Sequence, residues 1–336
     1  MRHDSSQDRT IDPPKPPSIN AEKMRDPLHG TLSVVIPTYN CRPLLERHVA
    51  EMATWLDLAD EVIVVDSRSK DGTREYLTEQ LRHPGLRFID RDRGLYQSWT
   101  EGITATKGDW IYVSTAGDTI ERDQLLKLMK AGTEAKADVV ISPCRFVDEA
   151  GQALPGTTVG NPEILRGIGG RTFVVAPPDV RDYVALDAGI QGLLGSCASD
   201  IFRGEFLRAR PFPSNYGTHG DIAWTLRHAH EMRLCVVPEI GSTFCRHEKE
   251  RLEEPAELTE IFDRIYATEI QMGGSLPGLA LSLAARSWRS RRKRYAREGA
   301  ALYGQLASFV GFFLKVLLAV AQAPRKLRRS FSAAKA

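Results

Sequence analysis

The feature that most constrains this chain is an alternation of short, β-branched apolar runs with segments of helical periodicity between residues 31 and 144. Strands that alternate with helices of this length predict right-handed crossovers and a mainly parallel sheet with helices on both faces. We therefore predict an α/β fold. The predicted strands are TLSVVIPTYN (31–40), EVIVVDS (61–67), LRFIDRD (86–92), DWIYVSTAGD (109–118) and DVVISPC (138–144).

Polar side chains follow four of these strands at the points where the strands end. Ligands of open α/β sheets bind outside the carboxyl ends of the strands. The sequence therefore predicts a binding site along this rim, formed by Thr38 and Tyr39, Asp66 and Ser67, Asp90 to Arg93, and Thr115 to Asp118. The pattern is less regular after about residue 150, where GDIAWTLRHAHEMR (220–233) predicts a helix and LCVVPE (234–239) a strand.

Composition narrows the class of protein. The 336 residues include 45 Lys and Arg against 43 Asp and Glu, a net charge of +2, which argues against a nucleic-acid partner. The five cysteines are odd in number and contain no C-x-x-C pair, so we predict no disulfide framework and a reducing compartment. Residues 1–29 lack the apolar core of a signal peptide, and we interpret them as a disordered arm that leaves the following domain in the cytosol.

Four blocks at the strand ends resemble, in the same order, the motifs of family 2 glycosyltransferases: VVIPTYN, VVDSRSKDGT, GLYQSWTEGI and YVSTAGD. The third block is similar to that of a polysaccharide-assembling branch. The resemblance is strong from residue 32 to about 130 and continues weakly to about 250. It implies the GT-A (nucleotide-diphospho-sugar transferase) fold, with a mainly parallel sheet flanked by helices and a C-terminal helical extension.

The resemblance also implies an activity. It is an inverting transfer of a sugar from a nucleotide-diphospho-sugar to a glycan or lipid-linked acceptor, in surface polysaccharide biosynthesis. Thr38 and Asp66 would hold the nucleoside of a UDP-sugar, and the loop from Pro37 to Tyr39 would pack on the base. The residues that the resemblance places at the nucleotide-sugar are Pro37, Thr38, Tyr39, Asp66, Arg93, Gly94, Thr115 and Asp118.

Some of these positions have a second interpretation. Arg91 and Arg93 either face phosphate or are ordinary solvated charges. Asp71 either acts with Asp66 or caps the helix that follows it. Gly94 and Gly102 are expected to permit turns or close packing.

A divalent cation is the implied cofactor, because the departing diphosphate must be neutralised. Mn²⁺ or Mg²⁺ takes one or two carboxylates together with phosphate oxygens, and Asp118 is the implied ligand. The alternative is that Asp118 caps a helix starting near Ile120. His247, in FCRHEKERL, is a second candidate for a metal or phosphate contact, and its alternative is a structural role.

The implied catalytic base is Asp221. YGTHGDIAWTLRHAH resembles the E-D-x-x-x-W-x-R segment of the family, with Trp224 and Arg227 at the same spacing and Gly220 in place of the Glu. A carboxylate opposite the departing diphosphate could take the proton of the acceptor hydroxyl. The alternative is an N-cap or a first-turn acid favoured by the helix dipole.

Several motif positions depart from the family pattern: Arg68, Thr100, Thr115, Gly117 and Gly220. Thr115 and Gly117 leave Asp118 as the lone carboxylate of its motif, so a weaker or less selective metal site is expected. The departures keep a second function open, in which the protein is a catalytically idle nucleotide-sugar-binding or scaffold protein of the same fold.

The C-terminal sequence predicts membrane association. Residues 286–297 contain seven Lys or Arg and no acid, and residues 299–324 contain the single charge Lys315. An apolar face opposite a polar one, with basic clusters at both ends, favours an in-plane helix on an anionic membrane surface. A spanning helix and a soluble or oligomer-packing helix are the alternatives. The predicted location is the cytoplasmic face of the inner membrane, as a peripheral protein, or the cytoplasm.

The predicted organisation has four parts. They are a disordered arm (1–29), a GT-A glycosyltransferase domain (30–250), a helical extension with the basic segment (251–297), and an apolar helix with a basic tail (298–336).

Overall fold

The computed structural model describes residues 30–159, 171–177, 180, 194, 197–246 and 255–269. The larger of its two sheets contains β1 (Leu32–Thr38), β2 (Glu61–Asp66), β3 (Leu86–Asp90), β4 (Trp110–Val113), β6 (Val139–Ile141), β9 (Phe173–Val175), β10 (Asp200–Arg203) and β11 (Leu234–Val236). The smaller sheet contains β5 (Thr119–Ile120), β7 (Cys144–Val147), β8 (Ala153–Val159) and β12 (Ser242–Cys245). The helices are α1 (Leu45–Met52), α2 (Thr73–Gln80), α3 (Leu95–Thr104), α4 (Arg122–Ala135), α5 (Gly204–Arg208), α6 (Gly220–His228) and α7 (Pro255–Glu269).

The larger sheet has the strand order β3-β2-β1-β4-β10-β6-β11-β9. The first four strands pair in parallel, and β6 pairs in parallel with β11. β10 lies antiparallel between β4 and β6, and β9 lies antiparallel to β11. The prediction of a mainly parallel sheet is confirmed. Both antiparallel strands come from the part of the sequence whose pattern is less regular.

Alternate residues of the central strands build two apolar cores, one on each face of the larger sheet. Val34 and Ile36 join the core beneath α1, α2 and α4, whereas Val35 joins the core beneath α3, α5 and α6. Burial on both faces explains why β1 is a continuous apolar run. Gly102 allows α3 to approach the sheet, because a Cβ there would lie 2.4 Å from Val35 Cγ1.

The fourth strand is shorter than the sequence predicts. β4 ends at Val113, and the chain then crosses to the smaller sheet as β5, which pairs with β12. α4 begins only at Arg122, and Glu121 is its N-cap residue. The alternative in which Asp118 caps this helix is therefore wrong, because a short strand separates the two.

The helical extension is described in part, as α7. Glu269 joins α7 to α6 by accepting hydrogen bonds from Arg227 Nε at 2.6 Å and from the Tyr216 hydroxyl at 2.6 Å. No helix in the described ranges is long and apolar enough to cross a membrane. The arm at 1–29 and the tail beyond residue 269 lie outside the described residues.

Candidate functional site

A buried carboxylate joins the ends of β1 and β2 at the rim. Asp66 Oδ1 accepts hydrogen bonds from the Thr38 hydroxyl at 2.8 Å and the Ser69 hydroxyl at 2.7 Å, and Oδ2 accepts the Ser69 backbone N–H at 2.8 Å. A carboxylate has about four acceptor positions, so these contacts leave about one for a ligand. The turn after β2 is thus fixed by the residue that the sequence assigns to the nucleoside.

An exposed aromatic ring stands beside this carboxylate. Tyr39 is 41% exposed, and the guanidinium carbon of Arg93 lies 4.6 Å from the centroid of its ring. Arg91 instead donates a hydrogen bond to the Asp92 carbonyl and forms an ion pair with Glu101 at 3.7 Å. The structure therefore brings Arg93 to Tyr39 and directs Arg91 toward α3.

Two residues, Arg68 and Asp71, determine the backbone conformation of the loop between β2 and α2. Arg68, in place of the motif glycine, has φ +54°, and its guanidinium pairs with Asp92 at 2.7 Å. Asp71 accepts the N–H of Thr73, the first residue of α2, at 3.1 Å and the N–H of Arg42 at 3.0 Å. Asp71 therefore holds the backbone at the start of α2, whose N-cap residue is Gly72.

Asp118 lies deeper in the rim than a loop residue usually does. Its side chain is 4% exposed, and its Oδ1 accepts the backbone N–H of Cys245 at 2.8 Å. Its Oδ2 accepts the hydroxyl of Thr115, the residue that replaces the first acid of the motif. The carboxylate therefore holds the loop after β4 against β12 of the smaller sheet.

Helix α1 fixes the same loop from the other side. Arg47 donates to the Gly117 carbonyl at 2.6 Å, and His48 Nδ1 lies 2.9 Å from the Asp118 carbonyl oxygen. Because a carbonyl only accepts, Nδ1 carries the proton, and Nε2 accepts from the Ser114 hydroxyl at 3.2 Å. Burial lowers the pKa of His48 to about 4, so the ring is neutral at physiological pH.

Asp221 lies in the first turn of α6, and the N-cap residue is His219. The hydroxyl of Tyr96, from α3, lies 3.0 Å from Asp221 Oδ1 and 2.9 Å from the Thr218 carbonyl oxygen. Burial raises the pKa of Asp221, and the hydrogen bonds that it accepts offset part of this effect. The alternative in which Asp221 is the N-cap residue is therefore wrong. Its position in the first turn agrees with the alternative of an acid favoured by the helix dipole.

Gly220 explains one departure from the motif. A Cβ at this position would lie 2.4 Å from the Pro213 carbonyl oxygen and 2.5 Å from the Tyr96 ring. The Glu of the motif could not occupy this position without moving that ring. Arg227 and Trp224 are also structural here, because Arg227 pairs with Glu269 and Trp224 stacks on Phe212 at 5.1 Å.

The space between the Asp118 loop and α6 is bordered by residues that the sequence did not indicate. Cys197 Sγ lies 3.7 Å from the Thr115 hydroxyl, and Asp200, at the start of β10, is fully buried. Burial raises the pKa of Asp200 well above its ordinary value. An acid inside the run SCASDIFR was the one sequence signal for this residue.

The structure brings together two groups of predicted residues: Thr38, Tyr39, Asp66 and Arg93 at the ends of β1 and β2, and Thr115 with Asp118 after β4. After β4 a divalent cation would find the carboxylate of Asp118, the type of ligand that a hard ion takes together with oxygens of phosphate and water. No group of three or more His, Cys, Asp or Glu in the described ranges could hold a metal. His247 lies outside those ranges.

The described domain is similar to known proteins in sequence. Residues 33–176 match the model of Glycosyl transferase family 2. The chain is 29% identical to the succinoglycan biosynthesis protein ExoO of Rhizobium meliloti (strain 1021) over 125 residues, which are 37% of this chain and 36% of ExoO. It is 27% identical to the glycosyltransferase GlyG of Streptococcus pneumoniae serotype 4 over 122 residues, 35% of this chain and 40% of GlyG. The matches thus span about two fifths or less of either relative.

The fold is also found in solved structures. S. aureus TarS 1-349 in complex with UDP-GlcNAc superposes with a TM-score of 0.53 at 17% identity, over 70% of this chain and 66% of that one. A longer S. aureus TarS structure gives a TM-score of 0.55 at 17% identity, over 77% and 43%. At this identity the likeness shows the fold, which is GT-A.

Proposed function

Because residues 33–176 match the model of Glycosyl transferase family 2, we propose that this chain moves a sugar from a nucleotide-diphospho-sugar to a glycan or lipid-linked acceptor. The observation that supports this most directly is that two carboxylates with different surroundings, Asp118 and Asp221, both lie close to Cys197, whose pKa is raised first by burial and then by their charges. Asp118 accepts a hydrogen bond from the Cys245 N–H of β12, and Asp221 contacts the hydroxyl of Tyr96 from α3. A donor between them would have its diphosphate near one and its acceptor near the other.

The nucleoside would lie at the ends of β1 and β2. Asp66 keeps about one acceptor position for a base N–H, and Tyr39 offers an exposed ring for stacking. Arg93, beside Tyr39, is close enough to contribute positive charge toward the phosphates. Because TarS has been solved with UDP-GlcNAc and UDP-sugars match the resemblance, we infer a UDP-sugar as the donor class.

The reaction would be a direct displacement. Asp221 takes the proton of the acceptor hydroxyl while that oxygen attacks the anomeric carbon from the face opposite the diphosphate. The bond between the anomeric carbon and the diphosphate oxygen breaks, its electron pair leaves with the nucleoside diphosphate, and the configuration inverts. Family 2 enzymes generally depend on a divalent metal. Here Mn²⁺ or Mg²⁺ would be held by Asp118 and would neutralise the diphosphate.

The decisive experiment measures UDP release and sugar transfer with full-length protein, Mn²⁺ and a panel of UDP-GlcNAc, UDP-glucose and UDP-galactose. We expect Asp221→Asn to lower turnover by roughly 10²- to 10⁴-fold with donor affinity nearly unchanged. Asp123→Asn is the matched control, since Asp123 is also the second residue of a helix, α4, and is exposed.

The outcomes separate the candidate functions. Normal turnover in Asp221→Asn would remove this residue as the base. UDP-sugar binding by the wild type without any hydrolysis or transfer would support the idle binding protein instead.

The C-terminal tail carries the proposed membrane contact. We infer from its basic segment and amphipathic apolar run that the protein is peripheral on the cytoplasmic face of the inner membrane, where a lipid-linked acceptor would lie. Deleting residues 286–336 should release the protein from anionic vesicles at low salt while nucleotide binding is retained. Full-length protein that does not bind such vesicles would contradict this inference.

A further inference from the structure

The hydroxyl of Tyr96 has two acceptors and one proton. It lies 2.9 Å from the Thr218 carbonyl oxygen and 3.0 Å from Asp221 Oδ1. It can donate to only one of them at a time. Burial, followed by the charge of Asp221, raises the pKa of Tyr96 well above its ordinary value, so the hydroxyl keeps its proton.

The position of this hydroxyl is fixed by packing. The ring of Tyr96 is almost fully buried, stacks on Phe212 at 5.6 Å and meets the edge of Trp99 at 5.3 Å. Gly220 lies directly against the ring, where a Cβ would approach to 2.5 Å. This packing fixes the phenol hydroxyl relative to the carboxylate of Asp221, which follows Gly220 in the chain.

The two acceptors fit the two protonation states of Asp221. When the carboxylate is charged, the hydroxyl donates to Oδ1, because hydrogen bonds to ionised acceptors are stronger than those to neutral ones. When the other oxygen, Oδ2, has taken a proton, Oδ1 still accepts, and the Tyr96 hydroxyl stays within hydrogen-bond distance of both Oδ1 and the Thr218 carbonyl oxygen. Oδ1 therefore stays within reach of the same donor in both states.

We propose that Tyr96 is a positioning residue for Asp221, and that its hydroxyl keeps one carboxylate oxygen in place in both protonation states while the other oxygen meets the acceptor. This inference rests on the proposed function, in which Asp221 is the base. It assigns a role to the Tyr of the GLYQSW block, and it gives a reason for Gly220, since a larger residue would displace the ring.

Other titratable groups lie near Asp221, and they are the same in the wild type and in a variant that lacks the Tyr96 hydroxyl. His219, the preceding helix-cap residue, lowers the pKa of Asp221 by its charge. Asp200 from β10 is buried and Cys197 before it is partly buried, and desolvation raises the pKa of each. These groups stay unchanged when only the Tyr96 hydroxyl is removed, so that substitution isolates its effect.

The test is the pH profile of UDP-sugar turnover in the full chain with Tyr96→Phe. The phenyl ring keeps the packing, but the charged carboxylate loses a donor, and a hydrogen bond to a charged group is large enough to raise the pKa of Asp221 by about one unit. We expect the acid limb of kcat to move up by about one pH unit, with turnover on that limb about tenfold lower and the donor KM unchanged.

Two further variants keep the result interpretable. Trp99→Phe keeps an aromatic ring against Tyr96 and leaves the hydroxyl, so the acid limb should not move. Gly220→Ala should displace the ring and shift the limb in the same direction as Tyr96→Phe.

Different results would contradict the role of Tyr96 and the assignment of Asp221 as the base. An unmoved limb in Tyr96→Phe, with Asp221→Asn inactive, would overturn the role of Tyr96 alone. Full activity of Asp221→Asn would overturn the assignment of the base and this inference with it.

Discussion

Acid should destabilise this protein through one buried histidine, His48, which holds the loop of the candidate site. The ring is 1% exposed and lies between the Asp118 carbonyl and the Ser114 hydroxyl. Burial lowers its pKa from 6.5 to about 4 in the folded protein, whereas the unfolded chain regains the ordinary value. Between these values the unfolded chain binds a proton that the folded chain does not. The free energy of unfolding therefore falls as the pH falls from about 6.5 to about 4.

The size of this effect follows from the shift. A difference of about 2.5 pKa units at about 1.4 kcal/mol per unit corresponds to roughly 3 kcal/mol of stability, present above pH 6.5 and lost by pH 4. That is a large part of the 5–15 kcal/mol typical of a domain. The loop with Asp118 should open with the same pH dependence, because His48 protonated at both nitrogens loses its acceptor for Ser114.

The assay is urea denaturation of the wild type, His48→Asn and His48→Gln at intervals from pH 7.5 to 4.5. Asn can still donate from the position of Nδ1, and neither replacement titrates. Both variants should be less stable than the wild type at pH 7, by about 1–3 kcal/mol for a lost buried contact. Both should also show a flatter dependence on pH than the wild type. A wild-type slope that both variants retain in full would refute the role of His48.

Two further substitutions test the rim. Asp118→Asn should stay folded, because the amide oxygen can accept from Cys245 and the amide N–H can donate to the Thr115 hydroxyl. Isothermal titration should show weakened Mn²⁺-dependent binding of UDP. Unchanged metal dependence would exclude Asp118 as the ligand. Arg68→Gly should raise the free energy of unfolding by about 1 kcal/mol, because φ +54° is strained for Arg and the exposed ion pair of Arg68 contributes little. Arg68→Ala keeps the strain and should not raise the free energy of unfolding.

The sequence predicts the local parts of this fold well. The strands at β1, β2 and β3, the helices between them and the polar rim all follow from patterns within a few residues. Strand order does not, because the insertion of β10 between β4 and β6 depends on contacts between distant parts of the chain. Its antiparallel direction could not be predicted, because the sequence pattern before β10 is irregular.

The candidate site shows the same limit. The residues at each strand end could be named from the sequence, but their partners could not. Tyr96 and Asp221 are 125 residues apart, and His48 and Asp118 are 70 apart. The pattern predicts too late an end for β4 because STAGD directly follows an apolar run, whereas the side chains of Ser114 and Asp118 hydrogen-bond to α1 and β12.

The departures from the family motifs, taken together, argue against an idle protein. Gly220 makes room for the Tyr96 ring that supports Asp221, and Thr115 replaces an acid with a hydroxyl that donates to Asp118. Each change removes a carboxylate and leaves a neighbouring one better supported. The arrangement fits a transferase whose site relies on two carboxylates, Asp118 and Asp221.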